Sequence, residues 1–517
     1  MFSITAKDST PPRGDEAVHL RDSLIFHNIF SDPSQITLDI VRNIINWSER
    51  YPLLRPSGYY PPLVPIVTSF LYMFFGTSAS TAVMSNMIFL LILIFSIYKI
   101  GALIFERNVG LLACVFILLY PIVLQHSVLY MLDLPLTAMV ALSIFTLVKS
   151  DYFKSTKYSL LLGFCFGLGM LTKWTYLFFM LGPFIYSIFK ALLPKFSKND
   201  FERYSRSGVS FRNIGLCVGT SVVTCGPYYF PILPILIEKT LTHSRMISAH
   251  GLNSLLSIDS VFFYPAALWR DMITPLGFIL FSIGMVLLII SKNNYKNFSV
   301  TWTLIPYLIF TFVILSKKPR FMMPWLVSIS LVASFCIGQI QSRKVSDNFL
   351  KLIKYFGFLF LIFIAISFFR EDLRLKNSIM SSSKENWKIN EIISVLEEDI
   401  AESRKNNTSS HTPKHLGVIP NHYYINGHTI AYYAALRRLP LSVIKLHYYR
   451  GTAYEEFVTK FDRYDYILTK NPLTEISAFQ KSIRTMHSYF YSRKDLFQHL
   501  QTFNEPDGSE VSIFKRL

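Results

Sequence analysis

The chain has 517 residues, of which 51% are hydrophobic, 15% aromatic and only 16% charged. A mean hydropathy of +0.35 is too high for a soluble domain and marks a multi-pass membrane protein. The net charge of +18 could suit nucleic acid, but much of the Lys/Arg excess falls in short loops between apolar runs, as in cytoplasmic membrane loops, which argues against a nucleic-acid partner. The five cysteines (Cys114, Cys165, Cys217, Cys225 and Cys336) all lie in apolar segments, so they offer neither a disulfide framework nor a zinc spacing.

Residues 1–58 are polar and begin without a signal-peptide h-region. Within them Pro11-Pro12-Arg13-Gly14-Asp15-Glu16-Ala17-Val18-His19 sets two adjacent carboxylates and a histidine ahead of the apolar segments. Such a group can supply a general base, a metal ligand or a hydrogen-bonding anchor. The plainer alternative is a helix start, where carboxylates favour the positive end of the dipole. Residues 16–30 and 36–50 carry apolar positions at helical spacing and read as amphipathic helices on a membrane surface. The run 59–76 is apolar but broken by prolines, and reads as a juxtamembrane helix.

About ten spans follow by the hydropathy criterion: 82–103, 109–127, 133–149, 158–172, 174–193, 213–237, 272–291, 299–316, 321–341 and 354–370. When they alternate, the basic loops around Lys149–Lys157, Lys190–Arg212, Lys292–Lys296 and Arg343–Lys354 share one side, which is then cytoplasmic. The acidic segment, the turns before Asp133 and at Lys173, the loop 238–271, the turn 316–320 and the C-terminal region fall on the other. After Arg370 the composition turns soluble. A polar helix over 384–405 is followed by β-prone runs at 416–419, 441–446 and 466–469 that alternate with helical runs at 429–438 and 454–461, the pattern of a small α/β domain. The expected division is therefore 1–81, an outer acidic loop with juxtamembrane helices; 82–370, the membrane domain; and 371–517, an extracytoplasmic α/β domain.

Three outer-facing groups besides the acidic pair can carry chemistry. Asp133 precedes Leu134-Pro135 at the mouth of a span, where a helix cap is the plainer account. Lys173 stands beside Trp174 in a short turn, where a snorkelling lysine is the plainer account. Lys317, Lys318 and Arg320 place three cations on a face where topology disfavours positive charge, which points to anion binding.

Taken in order, Gly14-Asp15-Glu16, Tyr60-Pro61-Pro62-Leu63, Asp133-Leu134-Pro135, Gly167-Leu168-Gly169-Met170-Leu171-Thr172-Lys173 and Lys317-Lys318-Pro319-Arg320-Phe321-Met322-Met323-Pro324 resemble the motif series of GT-C glycosyltransferases. The branch most alike contains the protein O-mannosyltransferases and the lipid A aminoarabinose transferases. The resemblance covers residues 14 to about 340 and implies a GT-C-like α-helical polytopic membrane protein with a C-terminal soluble α/β domain. It implies transfer of a sugar from a polyprenyl-phosphate-linked donor to an extracytoplasmic lipid, glycan or protein. The setting it implies is a bacterial inner (plasma) membrane, with the active site and C-terminal domain outside.

On that resemblance Asp15 is the base and Glu16 its support. Asp133 and His19 contact the acceptor or a metal, and Lys173, Lys317, Lys318 and Arg320 meet the donor phosphate. Should a divalent ion take part, Asp15 and Asp133 are its candidate ligands. The chain departs from the family in two ways: no span precedes Asp15, so a further upstream apolar stretch is expected, and Tyr60 stands where His or Lys is common. The rival reading is a polytopic transporter or flippase, but the expected spans keep charge at their outer ends and not at midplane.

Overall fold

The computed structural model describes residues 11–31, 60–192, 200–250, 257–314, 316–342, 386–406, 413–445, 453–473 and 480–517. The amphipathic segment expected at 36–50 and the span expected at 354–370 lie outside these residues. The chain divides into two compact units, one formed by 1–58, 65–82 and 375–517, the other by 59–64 and 83–374.

Among the described residues the second unit has only helices and the turns between them. It contains most of α3 (Ala79–Ile104), then α4 (Arg107–Leu119), α5 (Pro121–Ser127), α6 (Asp133–Lys149), α7 (Thr156–Met170), α8 (Tyr176–Leu192) and α9 (Asp200–His250). After these come α10 (Ile258–Ala267), α11 (Pro275–Ile290), α12 (Lys296–Phe312) and α13 (Trp325–Ser342). Leu91 on α3, Val223 on α9 and Val286 on α11 point their apolar side chains outward, as lipid-facing surfaces do. Among the described residues, Ala79–Ile104 and Ser210–Pro234 are long and apolar enough to cross a membrane, and α4 with α5 would make a third if counted as one span.

Two expectations are corrected here. The span 109–127 is broken, with α4 and α5 bent by 66° at Tyr120. Pro121 has no N–H to continue the ladder and pushes the residue before it out of the helical region, and Tyr120 is extended at φ −66°, ψ 124°. The stretch 238–271, expected as a loop, is largely helical: α9 runs on to His250, and α10 is followed by a π-helical turn, Leu268–Met272. Close helix contact also has a local cause. A Cβ on Gly163 would lie 2.2 Å from the Cys217 carbonyl oxygen, and one on Gly167 would lie 2.5 Å from Thr224 Cβ, so these glycines let α7 pack against the backbone of α9 at one point and against a side chain at the next.

The first unit joins α1 (Gly14–Ser31) and most of α2 (Leu63–Phe75) to a C-terminal α/β domain. That domain comprises α14 (Ile389–Asn406), β1 (Lys414–Val418), α15 (Gly427–Leu436), β2 (Leu441–Lys445), α16 (Ala453–Thr459), β3 (Tyr466–Asn471), α17 (Gln480–Tyr491), β4 (Phe497–Asn504) and β5 (Glu510–Arg516). The sheet order is β2-β1-β3-β5-β4, with β1, β2 and β3 parallel and β5 antiparallel to β3 and β4. Strand alternation sends Leu416, Val418, Tyr466, Leu468, Val511 and Ile513 to one core, with Ile392 and Leu396 of α14 and Ile430 of α15. Ile467, Phe497 and Phe514 turn to the other, against Phe457 of α16 and Ile483, Met486 and Phe490 of α17. Helices thus cover both faces.

One edge of this domain carries buried charge. Lys470 is fully buried and donates to Asp507 Oδ2 at 2.7 Å. Burial pushes the Asp507 carboxyl up, but hydrogen bonds from Lys470 and Ser509 outweigh it and hold the carboxyl below the usual range. Glu505, 5% exposed, accepts the Lys388 N–H at 3.1 Å. Burial outweighs that bond and pushes its carboxyl up to about 7.

Candidate functional site

Within the helical unit, four of the motifs meet at the ends of helices. Asp133 opens α6, preceded by Leu132, and makes no side-chain cap bond to the helix. Its side chain is 1% exposed and is directed elsewhere: Lys173 Nζ donates to Oδ1 at 2.7 Å, and Arg320 Nη1 lies 3.8 Å from Oδ2. The cap and snorkel accounts of Asp133 and Lys173 thus give way to a shielded ion pair. A carboxylate so enclosed is tolerable only because two cations face it.

Each partner is held by its own local structure. Lys173 lies in the turn between α7 and α8, where Thr172 N–H donates to Gly169 O and Tyr176 N–H to Lys173 O, both at 3.0 Å. Gly169 has no side chain because a Cβ there would sit 2.2 Å from the Tyr176 ring. The Tyr60-Pro61-Pro62-Leu63 motif is tied to the same turn: Leu63 N–H donates to Leu171 O at 2.9 Å, and Tyr228 Oη donates to Tyr60 O at 2.9 Å. Arg320 sits in a 3₁₀ turn, Pro319–Met322, which packs against the π-helical turn 268–272. That π turn also packs against α5.

Three residues of this region were given no role of their own by the sequence, although Phe321 lies within the Lys317–Pro324 motif. Phe321 is flanked by Lys173 Nζ at 5.1 Å, Arg320 Cζ at 5.3 Å and Lys318 Nζ at 5.9 Å from its ring centre. An aromatic face attracts cations, so one ring gathers charges that would otherwise repel one another. Asn86, 1% exposed, directs Nδ2 to the carbonyls of His126, Ser127 and Leu129 at 3.3, 3.1 and 2.8 Å, fixing the chain that leads into Asp133. His126, 6% exposed, lies within electrostatic reach of Asp133, Arg320 and Lys173.

The remaining cations differ from one another. Lys318 is exposed. Lys317 turns back, donating to Thr311 O at 3.0 Å and Ile314 O at 3.3 Å, and so satisfies carbonyls at the end of α12. Lys173 and Arg320 on Asp133, with Lys318 at the Phe321 ring, gather cations in one place, and such a cluster suits an anion.

Asp15, Glu16 and His19 lie in the other unit, on α1. Ala17 N–H donates to Arg13 O, so Arg13 caps the helix and Glu16 is its third residue. Glu16 Oε2 accepts the Arg13 N–H at 3.4 Å, the reciprocal contact of a capping box. The two carboxylates therefore part company: Asp15 is exposed, while Glu16 is half-buried and engaged with the backbone. His19 is 2% exposed.

Among the described residues no group of three or more His, Cys, Asp or Glu side chains could hold a metal ion. Asp133, one of the two candidate ligands, faces two cations, a setting that repels a divalent ion.

A sequence model of the dolichyl-phosphate-mannose-protein mannosyltransferase family matches residues 60–201. Among curated proteins, none matches the chain in sequence. In fold, the chain is similar to ArnT from Cupriavidus metallidurans bound to undecaprenyl phosphate, with a TM-score of 0.56, 12% identity, and coverage of 99% of this chain and 96% of that one. It is also similar to the oligosaccharyltransferase AglB from Archaeoglobus fulgidus in complex with an inhibitory peptide and a dolichol-phosphate, with a TM-score of 0.53, 13% identity, and coverage of 98% and 71%. The chain has the GT-C fold. The chain is likewise similar to ArnT from Cupriavidus metallidurans in the apo state, with a TM-score of 0.54, 13% identity, and coverage of 99% of this chain and 95% of that one. The matched segment 60–201 contains Asp133 and Lys173 together with the Tyr60–Leu63 motif.

Proposed function

We propose that this GT-C protein is a membrane glycosyltransferase that takes a sugar from a polyprenyl-phosphate-linked donor and passes it to an extracytoplasmic acceptor. The observation that carries the reading is the gathering of Lys173 and Arg320 on Asp133 and around Phe321, a cluster of cations among apolar helices. A lipid-linked donor needs such a combination. Its tail requires an apolar route, and its phosphate gains charge as the bond to the anomeric carbon breaks. On this reading the acceptor, an alcohol or amine, attacks the anomeric carbon and gives its proton to Asp15. The polyprenyl phosphate departs toward Arg320, Lys173 and Lys318.

Glu16 supports Asp15 by closing the first turn of α1. Lys317 is left to its helix end. The chain spans the membrane about ten times, as hydropathy suggests, with the site and the C-terminal domain outside a bacterial inner membrane. The ArnT structure is bound to undecaprenyl phosphate and the AglB structure is in complex with a dolichol-phosphate, which supports the choice of carrier.

The test is turnover of a polyprenyl-phosphate sugar by the purified chain, followed as release of polyprenyl phosphate and labelling of acceptor. Arg320→Ala should raise the donor KM about 10- to 150-fold, the equivalent of losing about 1.5–3 kcal/mol of charge-assisted hydrogen bonding. Movement of intact donor across vesicles without cleavage would favour the transporter reading instead.

A further inference from the structure

The acidic helix α1 does not hold its own first turn unaided. Thr429, fully buried near the start of α15, donates its Oγ1–H to the Pro12 carbonyl at 3.0 Å. Thr429 is itself fixed, since Asn426 accepts the N–H groups of His428 and Thr429 at 2.9 and 3.0 Å and caps α15. Arg13 Nη2 donates to the Tyr424 phenol oxygen at 3.1 Å, with the guanidinium 5.5 Å from the Tyr424 ring centre. Ala17 and Leu20 are fully buried, α1 packs on α15, and Tyr432 of α15 lies within electrostatic reach of Glu16. The two residues immediately before the carboxylate turn are thus clamped by the α/β domain, one through its carbonyl and the other through its side chain, while Asp15 stays exposed.

We propose that the C-terminal α/β domain is the positioning element for the acceptor-activating carboxylate, with Thr429 and Tyr424 as positioning residues that fix Pro12 and Arg13 and so aim Asp15. The inference rests on the reading of Asp15 as the base. It gives the domain a part in turnover itself, because a base displaced by about 1 Å can lose on the order of 10²-fold in rate.

Thr429→Val keeps shape and removes the donor, Thr429→Ser restores it, and Tyr424→Phe removes only the oxygen that accepts from Arg13. Full-length variants are compared for kcat, donor KM and hydrogen exchange of residues 14–31. Thr429→Val is expected to lower kcat about tenfold or more with donor KM unchanged and to speed exchange in 14–31 but not in β1 and β3; Thr429→Ser recovers both, and Tyr424→Phe shows a smaller loss of the same kind. If Thr429→Val fails to fold, Tyr424→Phe, a change at a partly exposed side chain, carries the test. Wild-type kcat and wild-type exchange in both variants, with Asp15→Asn inactive, overturns the positioning role while leaving the base assignment standing. Full activity in Asp15→Asn overturns the base assignment itself, and the positioning role with it.

Discussion

Lys173 brings its ammonium to 2.7 Å from Oδ1 of Asp133, a carboxylate 40 positions earlier in the chain and only 1% exposed. Removing Lys173 leaves Asp133 facing the more distant Arg320, 3.8 Å away, so much of the about 3–5 kcal/mol cost of breaking a buried pair is incurred, whereas removing both members of the pair costs far less. Lys173→Met should therefore lower the midpoint of thermal unfolding in detergent sharply, and Asp133→Asn combined with Lys173→Met should recover much of that loss. Strictly additive effects in this cycle would mean that the pair is not coupled.

The two carboxylates of α1 should separate on mutation. Asp15→Asn keeps size and cannot accept a proton, so turnover should fall about 10²–10⁴-fold at equal protein level. Glu16→Gln retains an oxygen for the Arg13 N–H and should lose much less. Steady-state assays with a lipid-linked donor compare them, and equal losses would assign both residues to the chemistry.

Glu505 makes the stability of the C-terminal domain depend on pH. Its carboxyl is raised to about 7 when folded, against about 4.3 in an unfolded chain. Between these values the folded state holds a proton that the unfolded state releases, so stability falls as pH rises and the decline levels off above the folded value. Asp507, shifted the other way, loses its contribution only in acid below the ordinary carboxylate range. Glu505→Gln should flatten the fall across that window in unfolding of the full chain at pH 5 and pH 8. An unchanged pH slope would show that Glu505 is not its source.

Topology gives a fourth prediction. A cysteine placed near Asn253 should react with an impermeant reagent added outside intact cells, and one at Ser205, near the start of α9, should react only after permeabilisation. The reverse pattern would put Asp133 and Arg320 on the cytoplasmic side and remove the proposed reaction from its compartment.

Much of the helical unit was legible because lipid-facing and buried positions are both apolar: α6 matches the expected 133–149, and α3 and α13 differ from expectation by a few residues. The break at Tyr120 was signalled by Pro121 and was masked by the continuous apolar run. In the C-terminal domain β1, β2 and β3 were visible as short β-prone runs, but β4 is an edge strand with only Phe497 and Phe503 buried, so its pattern is too polar to stand out. At the site, Asp133, Lys173 and Arg320 were each visible as charges at helix ends, yet nothing in their spacing said that they pair. Phe321 was visible only as a member of the Lys317–Pro324 motif, with no role assigned, and Asn86 looked like any amide in an apolar run. The Pro12–Thr429 contact joins residues 417 positions apart and has no local trace at all.

That separation also sets an order of events on the ribosome. The first turn of α1 emerges early, but the hydroxyl that closes on Pro12 is made 417 residues later. At roughly 5–20 residues per second this delay is some tens of seconds. Throughout that interval the nascent chain presents its acidic helix without the surface that buries Ala17 and Leu20. A chain released early by a premature stop would leave Ala17 and Leu20 without that surface for good.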